Sequence, residues 1–226
     1  MTGAQNPEAR EKRGNALSLF ITFEGGEGCG KSTQTRILYR NLQQRNIAVV
    51  LTHEPGGTAL GKEIRELLKS KQGIPFSAQA ELFLFAASRS QLMAEVIRPA
   101  LNEGKVVICD RFTHSTLVYQ GYGRGLDLSA VDMANNLVTQ NLQPDLTILL
   151  DMPPEQGLAR KRSSKDRFES EDLPFHQRVR EGYLKTAATD PDHWLVLDAS
   201  LPVENLAETI QERVNQLLPP SPSLRG

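Results

Sequence analysis

Gly25-Gly26-Glu27-Gly28-Cys29-Gly30-Lys31-Ser32-Thr33 follows the apolar run Leu17–Phe23 and precedes a helical pattern over about 31–45. It fits G-x-x-x-x-G-K-[ST] in the strand–loop–helix setting that the pattern's mechanism needs. Glycines let the backbone wrap closely and turn successive N–H groups inward, toward phosphate oxygens. The helix starting near Lys31 adds its positive dipole end. Lys31 is placed to reach terminal phosphates, and Ser32 offers a hydroxyl to Mg²⁺. Gly25 through Thr33 are therefore read as a nucleotide-phosphate loop, against the rival reading of an ordinary Gly-rich turn.

Outward from this loop, short apolar runs alternate with longer helical patterns. Strands are predicted at Leu17–Phe23, Ile47–Thr52, Lys105–Cys109, Leu146–Leu150 and Trp194–Leu197. Helices are predicted at about 31–45, 58–71, 77–103, 129–142, 154–162, 175–188 and 203–217. The strands are nearly continuous in apolar residues, as expected where helices cover both faces. The pattern predicts an α/β fold, a doubly wound parallel sheet of about five strands with right-handed crossovers. Ligands bind such sheets beyond the carboxyl ends of the strands. The loops after Phe23, Thr52, Cys109 and Leu150 thus share one functional edge.

The chain has 226 residues, 39% hydrophobic and 23% charged, a globular balance rather than a disordered or fibrous one. Lys+Arg number 26 against 27 Asp+Glu, so no whole-chain basic field draws it to nucleic acid or anionic lipid. No apolar run approaches the ~20 residues of a membrane helix. The opening MTGAQNPEAREKRGN lacks the apolar core of a signal peptide. Residues 1–15 are expected to be a flexible extension, 16–218 a single domain, and the Pro-rich 219–226 a loose tail. Two cysteines fit unpaired thiols and a cytoplasmic location. Cys29, beside Lys31 at a helix N-terminus, is a candidate reactive thiol, whereas Cys109 reads as an inert strand residue.

A phosphate loop leaves three classes open: a phosphotransferase, a GTPase-like switch and an ATP-driven assembly protein. The N-K-x-D tetrapeptide that reads guanine is absent, since Asn41, Asn135 and Asn136 are not followed by Lys. Three further segments bear on the choice. They are His53-Glu54-Pro55-Gly56-Gly57-Thr58, then Leu82-Phe83-Leu84-Phe85-Ala86-Ala87-Ser88-Arg89, then Asp110-Arg111-Phe112 leading to Tyr119-Gln120-Gly121. With FEGGEGCGKST they resemble, in order and spacing, the thymidylate kinase family of P-loop nucleoside monophosphate kinases. The resemblance runs from about Leu17 to Leu218.

The resemblance implies a role for each matching residue. Asp110 lies near Mg²⁺ and the transferring phosphoryl group, while Arg111 holds the acceptor phosphate. Phe85 stacks on thymine, Arg89 donates to a base carbonyl, and Gln120 makes a second base-edge contact. Phe85 and Arg89, four apart, share a helix face; Phe83 is read as core. Tyr119 occupies the space that a 2′-hydroxyl would need. Glu54, Ser115 and Thr116 are candidate acceptor-side residues. Ala159 to Glu169 holds Arg160, Arg162 and Arg167, the family's lid, with bounds at about 159–172. Glu27, in a phosphate loop without arginine, marks the subtype whose catalytic arginine comes from that lid, and joins the catalytic set. Without the resemblance, the basic cluster would read as a solvated face.

Two positions depart from the pattern. His53 stands where bacterial relatives usually have arginine, replacing a permanent bidentate cation with a group that titrates near neutrality. Phe112 stands where tyrosine is common. The implied activity is phosphoryl transfer from ATP to dTMP, with Mg²⁺, in a cytoplasmic homodimer that binds neither nucleic acid nor membrane. The rivals are another monophosphate kinase acting on dUMP or UMP, and a regulatory P-loop ATPase.

Overall fold

Leu19–Glu24 form β1, and all of them are buried. A run with so little polar surface has no solvent face to offer, which suits the centre of a sheet covered on both sides. The computed structural model describes residues 18–70, 75–160 and 166–218. β1 pairs in parallel with β3 (Val106–Asp110) on one side and β4 (Leu146–Asp151) on the other. β2 (Val49–His53) and β5 (Trp194–Asp198) take the edges, in the order β2-β3-β1-β4-β5. Every pairing is parallel, as the sequence predicts.

The pleat sorts side chains onto two layers of helices. Ile21, Phe23, Ile108 and Ile148 point to the face covered by α1 (Lys31–Gln44) and α9 (Val203–Leu217), where they meet Leu38, Leu42, Ile210 and Val214. Phe20, Val107 and Cys109 point the other way, against Leu92 of α3 (Ala78–Leu92) and Leu101 of α4 (Arg98–Asn102). Leu149 joins that second face beneath Phe175, Val179 and Tyr183 of α8 (Leu173–Thr189). The remaining helices are α2 (Ala59–Lys69), α5 (Thr113–Thr116), α6 (Leu128–Thr139) and α7 (Pro154–Ala159). Thr58, Ser77, Asp127 and Asp172 cap α2, α3, α6 and α8 through their side-chain oxygens.

Two expectations are corrected, and one segment without an assigned element is helical. The single helix predicted over 77–103 is α3, a π-helical turn at Met93–Ile97, and α4. Pro99 explains the break, because it has no N–H to donate four residues back and its ring crowds that turn. From Thr113 onward the stretch after Asp110 is helical too, as α5 followed by a π-helical stretch, Leu117–Gly123. Its β-branched and glycine residues hide this in the sequence. Phe83 is not core but 65% exposed. The expected extension at 1–15, the tail at 219–226 and Arg162 lie outside the described residues. Among the described residues no helix is long and apolar enough to cross a membrane.

Candidate active site

Register assembles the site. Phe23 and His53 both pair with Asp110, so β1, β3 and β2 end together at one edge. The phosphate loop, Glu54 and Arg111 leave from that edge. A cavity of about 720 Å³ opens there. It is lined from Glu27, Lys31 and Ser32 at one end to Phe85, Tyr119 and Gln120 at the other, with Asp110 and Arg111 between.

The loop turns through Gly25, Gly28 and Gly30, all at positive φ. Gly28 has a second constraint: a Cβ there would stand 2.0 Å from the carbonyl oxygen of Gly157, so α7 packs directly on the loop. Lys31 is buried, and its ammonium donates to the carbonyls of Gly25 (3.0 Å) and Gly26 (2.7 Å). Ser32 donates to Asp110 Oδ2 at 2.5 Å, which joins loop and β3. Glu27, Gly28, Gly30, Lys31, Ser32 and Thr33 line the cavity, whereas Gly25, Gly26 and Cys29 do not. Cys29 is 2% exposed; its thiol donates to Gly26 and accepts from the Lys31 ammonium at 3.4 Å. Cys109 is also free and buried, and burial pushes its thiol well up.

Arg111, at φ 74°, reaches back across the edge. Nη2 donates to Glu27 (2.6 Å) and Tyr119 (3.2 Å), and Nη1 donates to Gly25 and Ser115 (3.2 Å each). Tyr119 donates to Glu27 at 2.9 Å, and burial raises its phenol so that it stays a neutral hydroxyl. Beneath lies Glu24, which sequence reasoning missed. It is fully buried, accepts from the backbone of Phe112 (2.9 Å) and Ser115 (3.3 Å), and is also bonded by Ser115 Oγ and Tyr183. Burial raises its carboxyl, and Ser115 and Arg111 oppose the rise. Glu24 thus fixes the backbone from which Arg111 springs.

Arg89 is 1% exposed and committed to protein partners: Glu54 at 2.8 and 3.1 Å through Nε, Asn135 at 2.6 Å and Thr116 at 2.8 Å. Burial raises the Glu54 carboxyl, against which Arg89 acts. Phe85 faces the same cavity as Phe168, their ring centroids 5.7 Å apart. Gln120 donates to buried Glu81 at 2.8 Å. Arg160 and Arg167, both expected in a lid, diverge. Arg160 lines the cavity and donates to Ala199 at 3.2 Å, on the loop after β5. Arg167 pairs with Glu81 at 2.8 Å, on the acceptor side. Arg36, Arg65 and Lys69 also line the cavity, with no local spacing to announce them. His53 lies among them, its pKa lowered by burial and then by Arg65.

The comparisons agree with this geometry. The thymidylate kinase family model matches residues 23–210. The chain is 57% identical over 203 residues to the thymidylate kinase of Dehalococcoides mccartyi (strain ATCC BAA-2266), covering 89% of this chain and 98% of that one. It is 51% identical over 201 residues to the thymidylate kinase of Synechococcus sp. (strain JA-2-3B'a(2-13)), covering 89% and 96%. The crystal structure of thymidylate kinase from Ehrlichia chaffeensis superposes with a TM-score of 0.72 at 35% identity, over 87% of this chain and 98% of that one. The chain belongs to the thymidylate kinase family.

Proposed function

We propose that the protein transfers the γ-phosphoryl group of ATP to dTMP, giving dTDP and ADP. One observation carries this reading: a single cavity joins the phosphate loop to an aromatic and amide-lined recess, with Arg111 midway. That is room for a donor and an acceptor nucleotide meeting at their phosphates. A regulatory ATPase has no use for the second half.

The chemistry follows from the residues. An acceptor phosphate oxygen attacks the γ-phosphorus, and the bond to the β,γ-bridging oxygen breaks with its electron pair leaving on ADP. A phosphate monoester has its second pKa near 6, so at neutral pH the nucleophile is already anionic and no general base is required. The protein's work is positioning and charge neutralisation. Lys31 exchanges the carbonyls of Gly25 and Gly26 for phosphate oxygens, and Arg111 holds the acceptor phosphate beside them. Phe85 stacks on the base, Gln120 reads its edge, and Tyr119 fills the space of a 2′-hydroxyl.

The donor set fits Mg²⁺. The Ser32 hydroxyl and Asp110 carboxylate are hard oxygen ligands, and Mg²⁺ binds by few protein ligands plus water and phosphate oxygens. No cluster of three or more His, Cys, Asp or Glu side chains stands ready for a metal among the described residues, as suits an ion that arrives with ATP. Bound there, Mg²⁺ would neutralise phosphate charge.

The lid expected at about 159–172 lies only partly within the described residues, and Arg160 is its candidate for the donor phosphates. The enzyme is a cytoplasmic homodimer in this reading. ATP consumption measured with dTMP, dUMP, UMP, CMP, AMP and GMP in turn tests the assignment. Consumption should require a monophosphate and be fastest with dTMP, and equal consumption without any acceptor would overturn it.

A further inference from the structure

Glu81, fully buried on α3, carries four donors. Gln120 Nε2 (2.8 Å) and Arg124 Nε (3.1 Å) share one oxygen, and Arg124 Nη2 (3.2 Å) and Arg167 Nη2 (2.8 Å) share the other. A carboxylate has about four acceptor sites and no proton to give, so these contacts fill it. The Gln120 amide is thereby fixed in sense. Its NH₂ can face Glu81, but its oxygen turned there would meet another acceptor with no proton between them. Gln120 lines the cavity beside Phe85 and is itself 1% exposed. With the nitrogen committed, the amide oxygen is the end available to a base. An acceptor suits the N3–H of thymine or uracil and opposes cytosine, whose N3 is also an acceptor.

We propose that Glu81 is a positioning residue that sets base choice, by holding Gln120 with its oxygen toward the acceptor base and so selecting 3-NH pyrimidines over cytosine. This deepens, and rests on, the reading that Gln120 meets the base. Glu81 itself does not line the cavity and acts only through Gln120.

The test compares kcat/KM for dTMP, dUMP and dCMP. In Glu81→Gln, position 81 can itself donate, so the Gln120 amide is free to turn over. The dTMP-to-dCMP ratio should fall about tenfold or more, chiefly by gain on dCMP, while the dTMP-to-dUMP ratio holds. Because Glu81→Gln leaves Arg167 without its carboxylate and Arg124 with only that of Glu171, the pair Glu81→Gln/Arg124→Met is made alongside and should show the same fall. Arg124→Met alone keeps the carboxylate and should keep the ratio. Unchanged base ratios in both proteins that carry Glu81→Gln, with Gln120→Leu altering them, would overturn the role of Glu81 alone. Unchanged ratios in Gln120→Leu would overturn the reading of Gln120 beneath it. An equal fall in Arg124→Met would assign the effect to charge, and also reject the proposal.

Discussion

Lys31 and His53 show how differently single residues depend on their surroundings. Lys31 performs wherever the phosphate loop forms, because its partners are backbone carbonyls a few residues away. His53 depends on what the fold brings near it. Burial and Arg65 both lower its pKa, and Asp110 only partly opposes them, so near neutral pH it adds no charge at the acceptor end. Replacing it with arginine should supply that charge at every pH. The dTMP KM of His53→Arg should then be lower than wild type at pH 8, on the order of fivefold for one partly screened charge. The gap should close as acid protonates His53 below its usual range near 6.5, because the wild-type protein then gains the same charge. Titration of the substrate phosphate is common to both proteins and cancels in the comparison. Equal KM values for the two proteins at pH 8 would mean that His53 does not face the acceptor phosphate.

Arg160, Arg167 and α5 carry further expectations. Arg160 and Arg167 looked equivalent in sequence, but one lines the cavity near the loop after β5 and the other is tied to buried Glu81. Arg160→Ala should therefore lower kcat, by as much as 10³-fold if it meets the transferring phosphoryl group, with little effect on dTMP affinity. Arg167→Ala should mainly raise the dTMP KM. The reverse split would place the catalytic arginine at 167. On α5, the His114 ring packs tilted against Trp194, centroids 4.6 Å apart, its Nδ1 is buried without a partner, and burial lowers its pKa to about 4. Its unfolded pKa is about 6.5, so the unfolded chain takes up the proton first and stability is lost as pH falls from about 6.5 toward 4. Between pH 7.5 and 5 this residue should remove about 1–2 kcal/mol, discounted for the partly open face of its ring. Urea unfolding of wild type and His114→Phe at the two pH values checks this, and parallel losses in both proteins would refute it. The phosphate loop, the strands and most helices were legible because each is a local pattern. Glu24, Glu81, Tyr183 and Phe168 were not. Glu24, for instance, is bonded to groups 88 to 159 residues away, which no spacing records. The one available signal was chemical: a carboxylate ending an otherwise apolar strand, and another inside an apolar helix, must each find partners when buried.

Phe83 lies on a face of the whole molecule that the core does not cover. Phe83 and Phe85 are two residues apart on α3, about 200° around the helix, so if Phe85 faces the cavity Phe83 must face away from it. It is 65% exposed, and on the adjacent α6 Met133 and Leu137, one turn apart, are 72% and 77% exposed. Leu60 on α2, which also packs against α3, is 48% exposed. Apolar side chains gathered on one run of helices mark an association surface rather than scattered exposure. A two-fold interface uses the same patch on both protomers, so each residue counts twice. Burying a large apolar side chain contributes about 1.5–3 kcal/mol, and Met133→Lys with Leu137→Lys removes four such side chains per dimer. Wild type is expected to sediment as a dimer at micromolar concentration, and the variant as a monomer. Because α3 carries Phe85 and Arg89 on its inner side, losing the outer support should raise the dTMP KM and leave the ATP KM nearly unchanged. A monomeric wild type, or a variant that remains dimeric, would show that this surface does not hold two copies together.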